Sequence, residues 1–431
     1  MAAPGGKYFI QDQLDHPKPR HDSFVKLWET KWKPLAERSL YPFLFGAAKD
    51  FEPIVEEMKR LDLKEPYNWE QYSEVFRPHG EKLLRAARAA EQAGNFEKAS
   101  EFYLSSSAVW FISRYPTPLC EGQRYAWVKN KEACQKGLQL RGIPIQQVLI
   151  PHKYAIEGEG SDIPAFLSLP DSASKDKPVP TVLCICGLDA WRTEMAYFAE
   201  LFRRQGVAMI AVEIPGTGDS PALANDPIGP DRQWSSVLDW LDENELIDSK
   251  RLCAWGISMG GYYAIRIAHT HSARLLGVAC HGGGCHHMFD EAWLESIDQR
   301  EYAHRASEPL SLKFGFQGDF GRFKREASGK FSLLKDGTLD RPCTRLLLVN
   351  GMDDSIIPID DYYLCLTRGS PKEVRIIPGA GHMGGQQGTV VVLQWVLNLL
   401  GIQADAEKVL IEIPFIRLRP SNVTIVNSEN P

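Results

Sequence analysis

Long apolar runs are missing from this chain of 431 residues. None approaches the about 20 residues a membrane-spanning helix requires, which argues against a membrane partner. Met1 to Tyr8 has no extended apolar core, so no secretory signal is expected. A basic block is missing too: 49 Lys and Arg stand against 55 Asp and Glu, for a net charge near -6. Nucleic acid and anionic lipid are therefore poor partners. Cysteine is sparse, nine residues in all, and odd in number. Free thiols in a cytoplasmic protein are the expectation, and Asn422-Val423-Thr424, a glycosylation triplet, would matter only after secretion. A dinucleotide fingerprint is lacking. In Glu213-Ile214-Pro215-Gly216-Thr217-Gly218-Asp219-Ser220 the glycines fall at the wrong spacing and no helix follows at once. That loop reads as a tight turn beside a pocket. The run Cys280-His281-Gly282-Gly283-Gly284-Cys285-His286-His287 has no second knuckle elsewhere, so neither metal nor cofactor is expected. It reads as a turn with exposed histidines, with His281 a candidate for the pocket wall.

The length suits two domains, and the 44% hydrophobic and 24% charged content suits a globular chain. Residues 1–20 read as an irregular arm. Residues 21–142 read as an all-helical domain. Phe24, Leu27, Trp28 and Trp32 share a helical face, Asp50-Phe51-Glu52-Pro53 reads as a cap opening a helix through Met58, and the pattern is helical again over 72–91. A turn at Ala93-Gly94-Asn95 then feeds a helix toward Phe111, a hairpin that resembles a single tetratricopeptide unit. Gly142 and Pro144 mark a boundary. Strands are expected over 147–151 and 163–169, as an antiparallel hairpin at a sheet edge. From Thr181 a strand–helix rhythm sets in, with strands at 181–186, 207–212, 251–257, 275–280, 344–350 and 374–377. Residues 143–402 thus form an α/β domain, interrupted at about 288–341 by an aromatic, charged insertion expected to shape the pocket entrance. In the tail, 403–431, residues 409–417 read as a strand.

The chemistry centres on Gly256-Ile257-Ser258-Met259-Gly260. An apolar strand meets G-x-S-x-G and a helical pattern follows, which is the strand, sharp turn and helix of a nucleophile elbow. Gly256 and Gly260 let strand and helix approach, so that Ser258 sits at the tip and the Met259 N–H points where an oxyanion would form. A serine nucleophile needs a base, and the base needs an orienting acid. After the strand 344–350 come two adjacent carboxylates, Asp353 and Asp354, of which Asp354 is preferred. After the next strand, Pro378-Gly379-Ala380-Gly381-His382 offers His382 as base. His269 and His271 read as surface residues. Leu188, held by Gly187 after the strand 181–186, is the expected second oxyanion donor.

The elbow, the G-x-x-D-x-x-x-P segment at Gly351 and Gly381-His382 make residues 145–402 resemble an α/β-hydrolase. Gly187-Leu188-Asp189 with Glu194, together with the helical front domain, is similar to the esterase-like group that includes dihydropseudooxynicotine hydrolase, a carbon–carbon bond hydrolase. Cys186 stands where that group often has glycine. The likeness implies an α/β-hydrolase fold with the all-helical domain packed over the active site, and adds Asp189 and Glu194 to the pocket-lining candidates. Lys26-Leu27-Trp28-Glu29-Thr30-Lys31-Trp32-Lys33, Tyr41-Pro42-Phe43, Asp50-Phe51-Glu52-Pro53-Ile54 and Ile112-Ser113-Arg114-Tyr115-Pro116 further resemble the fungal heptaketide naphthopyrone hydrolases of melanin synthesis. That resemblance implies a triad at Ser258, Asp354 and His382. It also implies hydrolytic shortening of an aromatic polyketide to 1,3,6,8-tetrahydroxynaphthalene, with release of a short β-keto acid. A homodimer is plausible by the same analogy. A carboxylesterase, a thioesterase or an acyltransferase would use the same residues, and a scaffold built on an inactive hydrolase would not need them.

Overall fold

The computed structural model describes residue 8, residues 10–14 and residues 21–413. Its centre is an eight-stranded sheet in the order β1-β2-β4-β3-β5-β6-β7-β8. The strands are β1 (Gln146–Pro151), β2 (Asp162–Ser168), β3 (Val179–Ile185), β4 (Ala208–Val212), β5 (Ile247–Ile257), β6 (Gly277–His281), β7 (Arg345–Gly351) and β8 (Glu373–Ile377). β1 and β2 form the antiparallel edge hairpin, β2 pairs antiparallel with β4, and β3 to β8 run parallel. Every residue of β3 and β4 is buried, as expected for parallel strands covered on both faces.

Helices lie on both sides. One core contains Trp234, Ala264, Phe314 and Phe331, from the helices Gly229–Glu243 and Met259–Thr270 and from the insertion. The other contains Phe202, Val392 and Leu393, from the helices Ala199–Arg204 and Gly385–Leu399. The sheet is thus the α/β-hydrolase core, preceded by a helical region packed near it.

The front helices include Ala48–Arg60, Trp69–Gln92, Phe96–Arg114 and Glu121–Leu140. Phe24, Trp28, Trp32, Phe43, Phe51 and Tyr72 form one of their cores. The helices Trp69–Gln92 and Phe96–Arg114 pack closely because Gly80 has no side chain: a Cβ there would lie 2.4 Å from the Trp110 indole.

Four sequence expectations are corrected. The helix expected to open at Asp50 begins at Ala48, and Asp50 works from inside it, accepting the Ala47 N–H at 2.9 Å. The arm is not wholly irregular: Gln11–Leu14 is a helical turn, and the Ile10 and Gln11 N–H groups bond the Asp360 carboxylate. Ala406–Ile411 is a helix, not a strand. Asp405 caps it by accepting from Glu407 and Lys408, and its apolar residues bury Ala406, Val409 and Leu410. Residues 414–417 of that expected strand lie outside the described residues. His269 is buried, bonded to the Arg341 carbonyl at 2.9 Å, and burial pushes its pKa down to about 4. Among the described residues no helix is long and apolar enough to cross a membrane.

Candidate active site

β5 runs into Ser258, and the helix Met259–Thr270 leaves it. Ser258 has φ 50° and ψ -121°, a strained conformation for a residue with a side chain. The turn can be this sharp because Gly260 lies against the carbonyls of Ile185 and Cys186, where a Cβ would come within 2.4 Å. The Ser258 N–H bonds the His281 carbonyl at 2.7 Å, which fixes the elbow to the end of β6.

His382 Nε2 lies 2.9 Å from Ser258 Oγ, and its Nδ1 lies 2.8 Å from Asp354 Oδ2. Asp354 is fully buried, and its carboxylate is saturated. Oδ1 accepts the Ile356 and Ile357 N–H groups, and Oδ2 accepts Asn350 Nδ2 at 2.7 Å as well as the imidazole. Asp353 is exposed and gives its N–H to the Ala380 carbonyl. Burial by itself would lower the His382 pKa. The Asp354 carboxylate outweighs it, with lesser help from Asp189 and Glu301, and holds the imidazole above its ordinary value. Such a line can take a proton from the serine hydroxyl and return it to a leaving group.

The Met259 and Leu188 N–H groups have no hydrogen-bond acceptor among the described residues, and both residues line the cavity at Ser258. A Cβ added at Gly187 would lie 3.5 Å from Ser258 Cβ, so the loop passes close to the serine. Two free N–H groups beside a serine form the kind of cradle that stabilises an oxyanion.

Of the other expected pocket residues, none lines the cavities at Ser258 and His382. His281 is fully buried behind them. It donates Nε2–H to the Met383 carbonyl at 2.6 Å and stacks on Trp255, so it supports the loop that carries His382. Asp189 accepts the Tyr302 hydroxyl at 2.5 Å. Glu194 is paired with Arg114. The glycine-bearing loop 213–220 contributes no residue to the lining of these two cavities. Asp219 accepts from Trp127 and Lys131 of the front domain and from Arg192. His286, His287 and Asp290 form a group whose donor atoms lie within 4.8 Å of one another. His286 Nδ1 bonds Ser332 and His287 Nδ1 bonds Asp290, and three ligands are one short of a closed structural zinc site.

Sequence reasoning missed two supports of the acid. Asn350 Oδ1 accepts the Gly351 and Met383 N–H groups while its Nδ2 holds Asp354, so one amide joins the acid loop to the histidine loop. Gln11 donates to the Asp354 carbonyl and accepts the Ile359 N–H. The amide at the end of β7, four residues before Asp354, carried a readable hint. The Gln11 contact spans 343 positions and left none.

Two spaces meet at His382, and Ser258 lines the inner one. The inner one has a volume of about 50 Å³ and is walled by apolar insertion residues, among them Met288, Leu294, Phe314 and Phe323, with Arg300 the cation in its lining. The outer one, about 250 Å³, lies between Leu27, Lys31, Trp32 and Leu35 of the front domain and the Asp354 and His382 loops. Tyr302, Ile356 and His382 border both. The insertion therefore builds the inner wall, and reaches the entrance only through Glu301, Tyr302 and Ala303.

A family model described as esterase FrsA-like matches residues 74–381. Esterase FrsA of Serratia proteamaculans (strain 568) is 26% identical over 307 residues, covering 69% of this chain and 69% of that one. Esterase FrsA of Salmonella newport (strain SL254) is 27% identical over 290 residues, covering 65% and 66%. The chain thus spans about two thirds of the length of these relatives. Among solved structures, a 2,6-dihydroxy-pseudo-oxynicotine hydrolase superposes with TM-score 0.61 at 16% identity, over 77% of this chain and 88% of its own. AbyA5 does so with TM-score 0.61 at 19% identity, over 82% and 97%. At such identities the likeness is one of fold.

Proposed function

Since the chain belongs to the FrsA-like esterase family and is a serine-dependent α/β-hydrolase-type enzyme, we propose that it cleaves a carbon–carbon bond beside a ketone in an aromatic polyketide. The proposed substrate is a heptaketide naphthopyrone, and the products are 1,3,6,8-tetrahydroxynaphthalene and a short β-keto acid. The observation that carries this reading is the unequal pair of spaces that share His382, the smaller of them lined by Ser258. About 50 Å³ suits a short acyl chain, being room for roughly four water-sized groups. The larger groove, with Leu27, Trp32, Leu35 and Tyr302 in its lining, suits a flat aromatic leaving group.

In this mechanism His382 takes the Ser258 proton as Oγ attacks the ketone carbonyl. The Met259 and Leu188 N–H groups hold the oxyanion. Collapse breaks the carbon–carbon bond, and the electron pair leaves on a carbon whose charge the polyphenol delocalises as an enolate. Protonated His382 supplies the proton to that carbon. Water, deprotonated by His382, then attacks the acyl-enzyme and frees the acid. A His382 pKa held above the ordinary value favours the protonated form that the leaving carbon needs.

The test incubates wild type and Ser258→Ala with the naphthopyrone and follows both products by mass spectrometry. Tetrahydroxynaphthalene and a four-carbon keto acid are expected only with Ser258 present. An untouched pyrone alongside turnover of aryl esters would overturn the carbon–carbon reading. It would favour the ester chemistry that the family description names.

A further inference from the structure

The oxyanion side of the site is held from outside the hydrolase sheet. The loop Gly187 to Trp191 makes one internal backbone bond, Gly187 N–H to the Ala190 carbonyl at 2.8 Å. The peptides after Leu188 are fixed by side chains. The Trp191 indole N–H donates to the Leu188 carbonyl at 2.9 Å. Arg114 Nη1 donates to the Asp189 carbonyl at 2.9 Å. Arg114 is the last residue of the front-domain helix Phe96–Arg114, and its side chain is fully buried. Its Nη2 pairs with Glu194, its Nε reaches Asn130 Oδ1 at 3.3 Å, and its guanidinium lies 3.9 Å over the Trp191 ring. Glu194 in turn accepts the Trp191 N–H at 2.9 Å. Both Nη atoms and the face of this planar group therefore act on one segment, clamping its backbone, its stacking ring and its capping carboxylate together, while Nε ties it to the front domain.

We propose that Arg114 of the front domain is a positioning residue for the Leu188 oxyanion donor, acting through the Asp189 carbonyl and Trp191. The front domain thereby completes the site as well as covering it. This rests on reading Ser258 as nucleophile and Leu188 N–H as oxyanion donor. A fixed backbone N–H is worth most when it need not reorganise as charge develops. A lysine at position 114 keeps the charge beside Glu194 but has one ammonium in place of the two-armed fork, and so releases the Asp189 carbonyl.

The experiment measures the rate of covalent labelling of the full chain by an aryl fluorophosphonate, whose P–O oxygen occupies the oxyanion position, as a function of pH. Wild type, Ser258→Ala, Arg114→Lys and Trp191→Phe are compared. Trp191→Phe keeps an aromatic ring and removes the indole N–H together with part of the ring's bulk, so it carries the test if Arg114→Lys does not fold. Labelling is expected to slow about 10- to 100-fold in Arg114→Lys, and less in Trp191→Phe. The pH midpoint, which reports His382 and Asp354, is expected to stay where it is in wild type. Unchanged rates in the folded variants overturn the proposal. So does a slowed rate with a displaced midpoint, because general loosening of the site would disturb both halves. Labelling that persists in Ser258→Ala would instead overturn the reading of the site itself.

Discussion

The two halves of this site are built in different ways. The acid and histidine half sits on the ends of β7 and β8, and its bonds are mostly local: Asn350 to Asp354, Asp354 to Ile356 and Ile357, and Asn350 to Met383. The oxyanion half hangs on Arg114, 75 residues before the carbonyl it holds. The acid and histidine half is held mainly from the sheet ends, with Gln11 of the arm added from 343 positions away. A distant half is fixed only when a second domain docks. Substitutions in each half should therefore leave different signatures.

The largest expected effect breaks the local half. In Asp354→Asn the two backbone N–H groups at the Oδ1 position hold the new amide oxygen. That turns the amide NH2 toward His382 Nδ1 and the Asn350 NH2, and selects the wrong imidazole tautomer. A drop in kcat of about 10⁴-fold with an intact fold is expected, from steady-state kinetics and circular dichroism. The pH midpoint should fall as well. With the Asp354 charge gone, burial is the larger influence left on His382, and it lowers the pKa. In wild type the sign is opposite. The folded pKa lies above the ordinary value, so activity needing the neutral base should rise with pH through a midpoint above about 6.5. The same shift contributes stability that is fully present below the unfolded value and lost as pH rises through the folded one.

Asn350→Leu should come next. It keeps the volume but removes the donor to Asp354 and orphans the Gly351 and Met383 N–H groups. Buried orphans of this kind cost about 1–3 kcal/mol each, so kcat should fall about 100-fold with a measurable loss in Tm. A variant that lost stability but kept kcat would show that the local half does not depend on Asn350.

Why was one half legible in the sequence and the other not? Ser258, Asp354 and His382 each follow an apolar strand and sit among small or turn-forming residues, and this local pattern placed them at one end of one sheet. Asn350 had a trace of the same signal. Arg114, buried at the end of a distant helix, looks in sequence like any basic residue near a helix C-terminus. Asp189 and Glu194 were visible as unusual residues. Their partners were not, and without Tyr302 and Arg114 they read as pocket walls. The same short range explains the Ala406–Ile411 helix: a short apolar run suits either period, and the cap at Asp405 decided it.

A third expectation concerns the inner space. Leu294→Ala enlarges a cavity that holds about 50 Å³, and should shift acyl-chain preference among aryl esters toward longer chains by about tenfold in relative kcat/KM. Leu27→Ala, on the groove side, should raise KM for large aromatic leaving groups and leave acyl preference alone. An equal response to both would mean that the two spaces are not separate subsites.

The smallest effect tests whether the halves are as independent as they look. Lys31 of the front domain pairs with Glu301 at 2.6 Å, both side chains about a third exposed, and Glu301 is among the charges that raise the His382 pKa. This is a link from the front domain to the local half. Lys31→Ala removes one cation from beside Glu301, so the midpoint of the pH–rate profile should move up. Glu301→Gln removes that charge and should move it down. Because solvent screens such a pair, each displacement should be small at low salt and should vanish near 1 M salt. kcat at the plateau should be unchanged. A larger displacement, or one that persists in salt, would mean that docking of the front domain tunes the base as well as the oxyanion loop, and the division between a local and a distant half would not stand.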